Sequence, residues 1–287
     1  MGTVHARRLA GLITVATMLG GILDSAISAN ELFWAVGWYG EFTQIDATTG
    51  EVAPTRTDLP DDLQALAWSP NGVLFAGCED KLYTLDLAAG DAALFLWLDG
   101  IDVCGMAFSA SGDLYTTGRN PEGSATVPDD SLFTLGIIDI KDRTWRNVGN
   151  LWGDVDVCQG LAFSPDGTLY GVAPHDDMGG TYDLFTIDLD DGETHLIVSC
   201  SGTDLSQSLA FAPDGRLYAL GQATDARGAA VSSFARLDPR DGRIIGPVIT
   251  FPGDYRGLEL VPEPATVLLL GLGGFALVSW RKQTRRG

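Results

Sequence analysis

Five aspartates, Asp62, Asp102, Asp156, Asp204 and Asp254, each stand four or five residues ahead of an apolar run starting at Leu66, Met106, Leu161, Leu209 and Leu258. Carboxylates that recur once per repeat and meet at one opening would concentrate cations, and their hard oxygens suit Ca2+ or Mg2+. Two or three converging carboxylates, one of them held protonated, are also what acid–base cleavage of a polysaccharide requires. The simpler alternative is local: an aspartate ahead of a strand caps the turn by accepting backbone N–H groups.

Other residue types add less chemistry. His175, Asp176 and Asp177 form the local His/Asp cluster of the middle region, read either as a metal or acid–base group or as a solvated polar loop. His195 falls in an outer strand and His5 near the N-terminus, so neither a zinc set nor a Ser-His-Asp relay can be assembled. Glu259 occupies a slot that the other repeats fill with Ala67, Ala107, Ala162 and Ala210, a close-packed position unsuited to a catalytic acid. Trp34, Trp38, Tyr39, Trp97, Trp145 and Trp152 would stack on sugar rings if exposed, or pack between strands if not. Cys78, Cys104, Cys158 and Cys200 contain no Cys-X-X-Cys spacing and allow three pairings. The matching settings DVCGMAF and DVCQGLAF favour a disulfide between Cys104 and Cys158.

The elements that position these residues are repeats. LAWSPNGVLFAG, MAFSASGDLYTTG, LAFSPDGTLYGV and LAFAPDGRLYAL begin at Leu66, Met106, Leu161 and Leu209, spaced by 40, 55 and 48 residues. A second element follows each: KLYTLDL, SLFTLGIIDI, DLFTIDL and SFARLD. Apolar and polar residues alternate, and Ser-Pro-Asp-Gly suits a tight hairpin, so one repeat is a four-stranded meander. Repeats of this length with four strands are propeller blades. ELFWAVG from Glu31 and FTQID from Phe42 match the second and third strands of a blade whose first strand is YRGLEL from Tyr255. The expected fold is therefore all-β, a five-bladed β-propeller over residues 30–260 closed by its N- and C-terminal strands, which removes open edges. The repeat is similar to the Ser-Pro-Asp-Gly units of bacterial propellers, a likeness of architecture that assigns no chemistry. Long loops at 119–130, 173–181 and 222–232 share the face that carries the aspartates, the face where propellers bind.

The ends carry their own signals. Arg7 and Arg8, an apolar run from Leu9 to Leu23 and small residues to Ala29 make a secretory signal peptide over residues 1–29, cleaved after Ser28 or Ala29. This implies handling by the Sec translocon and signal peptidase. In residues 261–287, Pro262-Glu263-Pro264 precede an uncharged stretch from Ala265 to Trp280 and the basic cluster Arg281, Lys282, Arg285 and Arg286. A helix over that stretch is about 24 Å long, just able to span a thinned bilayer, with the basic cluster held in the cytoplasm. Pro-Glu-Pro, a short apolar helix and a terminal basic cluster together resemble the PEP-CTERM sorting signal. The resemblance implies recognition by an exosortase, cleavage near the motif and transfer from a membrane anchor to the cell surface.

The whole chain has a formal net charge of −20. Six basic and two acidic residues belong to the ends, so the middle region carries about −24. Such a charge repels nucleic acid and anionic lipid and favours cations or neutral, hydroxyl-rich partners. Three readings follow: a non-catalytic surface or matrix propeller binding carbohydrate, protein or cations; a secreted polysaccharide hydrolase or lyase using the axial aspartates; and a purely structural matrix protein.

Overall fold

The computed structural model describes residues 31–119, 133–175 and 181–262. The expected signal helix and C-terminal hydrophobic helix lie outside the described residues, as does Asp176.

All sheets but one short addition are antiparallel, and they form five blades. The first blade runs Ala65–Trp68, Leu74–Cys78, Lys81–Asp86, Asp91–Trp97, and the second Asp102–Phe108, Leu114–Arg119, Phe133–Asp139, Thr144–Asn150. The third runs Gly160–Phe163, Leu169–Pro174, Thr181–Ile187, Glu193–Ser201, and the fourth Ser208–Phe211, Leu217–Thr224, Ala230–Leu237, Ile244–Pro252. The closing blade places Tyr255–Leu260 innermost, then Leu32–Gly37, then Phe42–Asp46. Its register pairs Phe33 with Leu260, Trp34 with Glu259 and Ala35 with Leu258.

Two blades depart from the four-strand pattern. The closing blade has no regular fourth strand; residues 51–56 make only the isolated bridges Val52–Ile45 and Arg56–Phe42. Pro54 lies between them and has no N–H to give to a ladder. The third blade gains a two-residue edge, Trp152–Gly153, parallel to Glu193 and Thr194.

Inner strands are buried on both faces because each lies between two blades. Five apolar cores result, each shared by adjacent blades around the ring. Leu66 faces back toward Val36 and Phe42, while Ala67 faces forward toward Val103 and Met106. Small residues on the forward face let the next blade approach. One aromatic contact repeats at these seams: Phe75 with Phe108, Tyr115 with Phe163 and Tyr170 with Phe211, at centroid distances of 5.8, 5.3 and 5.2 Å. Each such pair contributes about 0.5–1.5 kcal/mol beyond its buried area.

The turns after the third strands are set by a second family of aspartates, Asp46, Asp86, Asp139, Asp188 and Asp238. Each accepts backbone N–H bonds two or three residues on, as Asp46 does from Thr48 and Thr49 at 2.8 and 3.0 Å. The Arg240 side chain and N–H additionally hold the Asp238 carboxyl down to about 2.

Two positions show how closely the ring constrains its residues. A Cβ at Gly221 would lie 2.0 Å from the Asp204 carbonyl oxygen and 2.5 Å from the Leu205 Cα, so the loop entering the fourth inner strand needs that glycine. Glu259 retains some exposure, yet desolvation in the closing seam pushes its carboxyl up to about 8, opposed by a bond from the Leu260 N–H.

Gly221→Ala is expected to destabilise the propeller by about 2 kcal/mol through overpacking against backbone, read as a lower urea midpoint with an unchanged slope. In the unfolded chain Glu259 titrates near 4.5, so the folded form holds an extra proton between 4.5 and about 8, and stability falls as pH rises through that window. The melting temperature should therefore drop from pH 5 to pH 9, and Glu259→Gln should flatten that drop. A variant with the same pH slope as the parent would assign it to other groups.

Candidate functional site

Four of the five expected aspartates lie in the loops entering the inner strands and Asp102 begins its strand, all at one end of the ring, where the structure gives them unlike surroundings. Asp254 is buried and pairs with Arg256, with Nε at 2.9 Å from Oδ1 and Nη2 at 3.2 Å from Oδ2. Asp204 accepts from the Ser206 N–H and hydroxyl at 2.9 and 2.6 Å, bonds that oppose the desolvation raising its carboxyl. Asp156 is exposed. The local capping role is thus filled at this face by Asp204, while the regular capping series belongs to the aspartates of the opposite turns.

Asp62 and Asp102 behave differently. Desolvation raises the Asp62 carboxyl, with Glu79 and Asp61 adding repulsion and Lys81 and Arg256 opposing. Asp102 is raised by desolvation and then by Glu79 and Asp80, with Arg119 and Lys81 opposing. Asp62 also sits at φ 65°, and Glu79 at φ 47°, conformations uncommon outside glycine. Backbone bonds fix this side of the mouth: Trp38 N–H donates to the Asp254 carbonyl at 2.9 Å and Asp62 N–H to the Trp38 carbonyl at 2.7 Å.

The mouth is consequently a mixed-charge cluster and not a uniform acidic ring. Arg256 pairs with Asp254 and reaches Asp62, Lys81 acts on both Asp62 and Asp102, and Arg119 acts on Asp102, while Asp204 is held by Ser206. Among the described residues no group of three or more His, Cys, Asp and Glu side chains is arranged to hold a metal ion. The Arg256 guanidinium also lies over the Trp38 ring at 4.1 Å, and Tyr39 beside it is 64% exposed. Arg256 was findable in the sequence, as the one basic residue inside an inner strand; Lys81 and Arg119 sit at strand ends and carry no such signal.

His175 lies at the end of the third blade's second strand region, its Nδ1 3.1 Å from the Asp183 carboxylate. Its neighbours Asp176 and Asp177 are outside the described residues. Of the other aromatics, Trp97 and Trp152 are exposed on outer strands, Trp34 packs in a seam, and Trp145 donates its Nε1–H to the Asp99 carbonyl at 2.9 Å. Cys104 and Cys158 share the core between the second and third blades, but they stand as separate thiols: Cys104 Sγ donates to the Asp102 carbonyl at 3.6 Å and Cys158 Sγ to the Gly160 carbonyl at 3.3 Å. Burial pushes their thiols up to about 11 and about 12. A surface pocket of about 490 Å³ lined by Gln44, Asp46, Glu51, Val52, Ala53 and Pro54 marks the incomplete edge of the closing blade, away from the mouth.

Comparison with solved structures gives remote likenesses. The chain is similar to a gluconolactonase of Xanthomonas campestris at 15% identity and a TM-score of 0.47, covering 80% of this chain and 79% of that one. It is similar to a 6-phosphogluconolactonase candidate of Bacteroides fragilis at 14% identity and a TM-score of 0.47, covering 83% and 99%. It is also similar to a protein of unknown function from Bacteroides caccae at 12% identity and a TM-score of 0.42, covering 78% and 73%. No curated protein matches the chain. Residues 260–286 match the PEP-CTERM protein-sorting motif. The chain is an exported protein, membrane-anchored before exosortase processing, that carries a PEP-CTERM sorting motif behind a five-bladed β-propeller.

Proposed function

We propose that the propeller is a non-catalytic binding module of the cell surface or extracellular matrix that takes a hydroxyl-rich polymer, an extracellular polysaccharide, at the long-loop face. The observation that supports this reading is the Trp38–Arg256 stack with exposed Tyr39 at its side. The guanidinium covers one face of Trp38, so the exposed Tyr39 supplies the surface on which a sugar ring packs, while the sugar's hydroxyls or carboxylates accept from the cation. Bidentate pairing with Asp254 holds the guanidinium in place, so little side-chain entropy is lost when a ligand arrives. A Ca2+ role is less well supported, since Arg256 already neutralises the most buried carboxylate of the set.

A second reading rests on Asp62 and Asp102. Two carboxyls raised by desolvation and by acidic neighbours at a strand-loop opening are the environment of a general acid, so a polysaccharide hydrolase or lyase is retained as the alternative. A purely structural matrix role is the reading left if neither binding nor turnover occurs.

A glycan-array screen of the propeller, with and without Ca2+, separates the three. Specific binding without product is the expected result. Tyr39→Ala should weaken that binding by roughly tenfold at an unchanged melting temperature, because the side chain is exposed and its loss leaves no cavity. Turnover abolished by Asp62→Asn or Asp102→Asn would instead establish the enzyme. Absence of both would leave the structural role.

A further inference from the structure

The last strand of the ring and the sorting motif are one continuous piece of chain. The closing strand is Tyr255–Leu260, and the match to the sorting motif begins at residue 260. Val261 is still fixed to the fold, its N–H donating to the Leu32 carbonyl at 2.7 Å. The uncharged stretch starts at Ala265, four residues later. Four residues reach at most about 14 Å when fully extended, and two of the three between are prolines, which stiffen the path.

The side from which the chain leaves is equally constrained. Leu258-Glu259-Leu260-Val261-Pro262-Glu263-Pro264 stands in register with Leu161-Ala162-Phe163-Ser164-Pro165-Asp166-Gly167 and its three counterparts. In those blades the chain reverses in a tight hairpin, closed by Gly72, Gly112, Gly167 and Gly215 N–H groups donating to the carbonyls of Ser69, Ser109, Ser164 and Ala212 at 2.9–3.0 Å. All four glycines have positive φ. Proline at the corresponding position 264 has neither the N–H nor access to that φ. The seat such a hairpin would feed is already taken by Leu32–Gly37. Position 262 therefore points the chain away from the propeller at its hairpin face, opposite the aspartate-bearing mouth. Glu31, the first described residue, lies by the same face, paired with Arg216 and Tyr218 just past the fourth hairpin.

We propose that in the anchored precursor the propeller stands with its hairpin face toward the bilayer, held there by the four-residue connection, and presents the long-loop mouth outward. The orientation comes from the tether and not from adhesion: the hairpin tips are polar or acidic, with Asn71, Ser111, Asp166 and Asp214 at the turns, so they do not insert into the membrane. An exosortase reading Pro262–Pro264 would work in the narrow gap between this face and the lipid. The inference rests on membrane anchoring and is independent of what the mouth binds.

The test uses residues 30–287, the chain as it stands after signal-peptide removal, with Cys200→Ser, reconstituted in phosphatidylcholine vesicles whose headgroups carry an energy-transfer acceptor. A donor is attached at Asn71→Cys on the hairpin face or at Arg227→Cys on the long-loop face, both exposed. The two sites differ by roughly a strand length, about 20 Å, so Asn71→Cys should show several-fold higher transfer than Arg227→Cys. Inserting fifteen Gly/Ser residues between Val261 and Pro262 adds about 20 Å of flexible reach and should bring the two signals together. Equal or reversed transfer in the parent chain would overturn the proposal, as would an insertion that changes nothing. Flotation is scored first: a chain that does not float with the vesicles removes the anchoring premise itself, a failure distinct from a wrong orientation.

Discussion

Everything in this molecule depends on the antiparallel pairing of Leu32–Gly37 with Tyr255–Leu260. A blade cannot bury its own faces; its apolar residues meet partners only in the next blade, which is why the cores fall between sheets and not within them. Breaking the closing pair exposes both flanks of the closing blade at once, including the packed aromatics Phe33, Tyr218, Phe234 and Tyr255. Burying each such side chain stabilises by about 1.5–3 kcal/mol, so the two seams together exceed the net stability expected of a domain this size. The ring is therefore a cooperative unit held by the pairing of its two end strands.

The repeat was legible in the sequence because two periodicities agree: alternation along each strand and recurrence of the Ser-Pro-Asp-Gly unit between blades. Even the shared closing blade could be assembled from unmatched strands at the two ends. The regular cap series was missed, although Asp46, Asp86, Asp188 and Asp238 each precede a glycine by four residues. Asp139 breaks that spacing pattern, because Arg143 takes the glycine's place at φ 55° and lays its guanidinium over Phe95 at 4.6 Å. A left-handed residue costs about 1–2 kcal/mol, which the cap and the cation–π contact partly offset.

The mouth was less legible, for a physical reason. Sequence spacing places five aspartates at one end of the ring, but it does not say which basic side chains reach them across blades. Asp254 stands just ahead of the strand that carries Arg256, and their pairing was available to inspection; Asp62 meets Glu79 and Lys81 within the first blade and Asp102 meets Arg119 within the second, but the two groups come together only across the seam, where Glu79 bridges Val103. A ring read as uniform is thus split into a charged, aromatic-flanked side and a quieter side with Asp156 and Asp204.

Long-range charge and local charge then act on different ligands. A region of about −24 repels polyanions at a distance, but screening limits that reach to about 8 Å at physiological salt. Within that radius of the Trp38 ring lies the Arg256 cation, 4.1 Å from the ring centre and paired with Asp254. On the proposed binding reading, a polymer with sparse charge and many hydroxyls would meet little repulsion on approach and find both a stacking face and a donor on arrival. A densely anionic polymer would be turned away before the guanidinium could act. Net charge would then filter the partner by class, and the single arginine on the inner strand would set how an admitted chain is held.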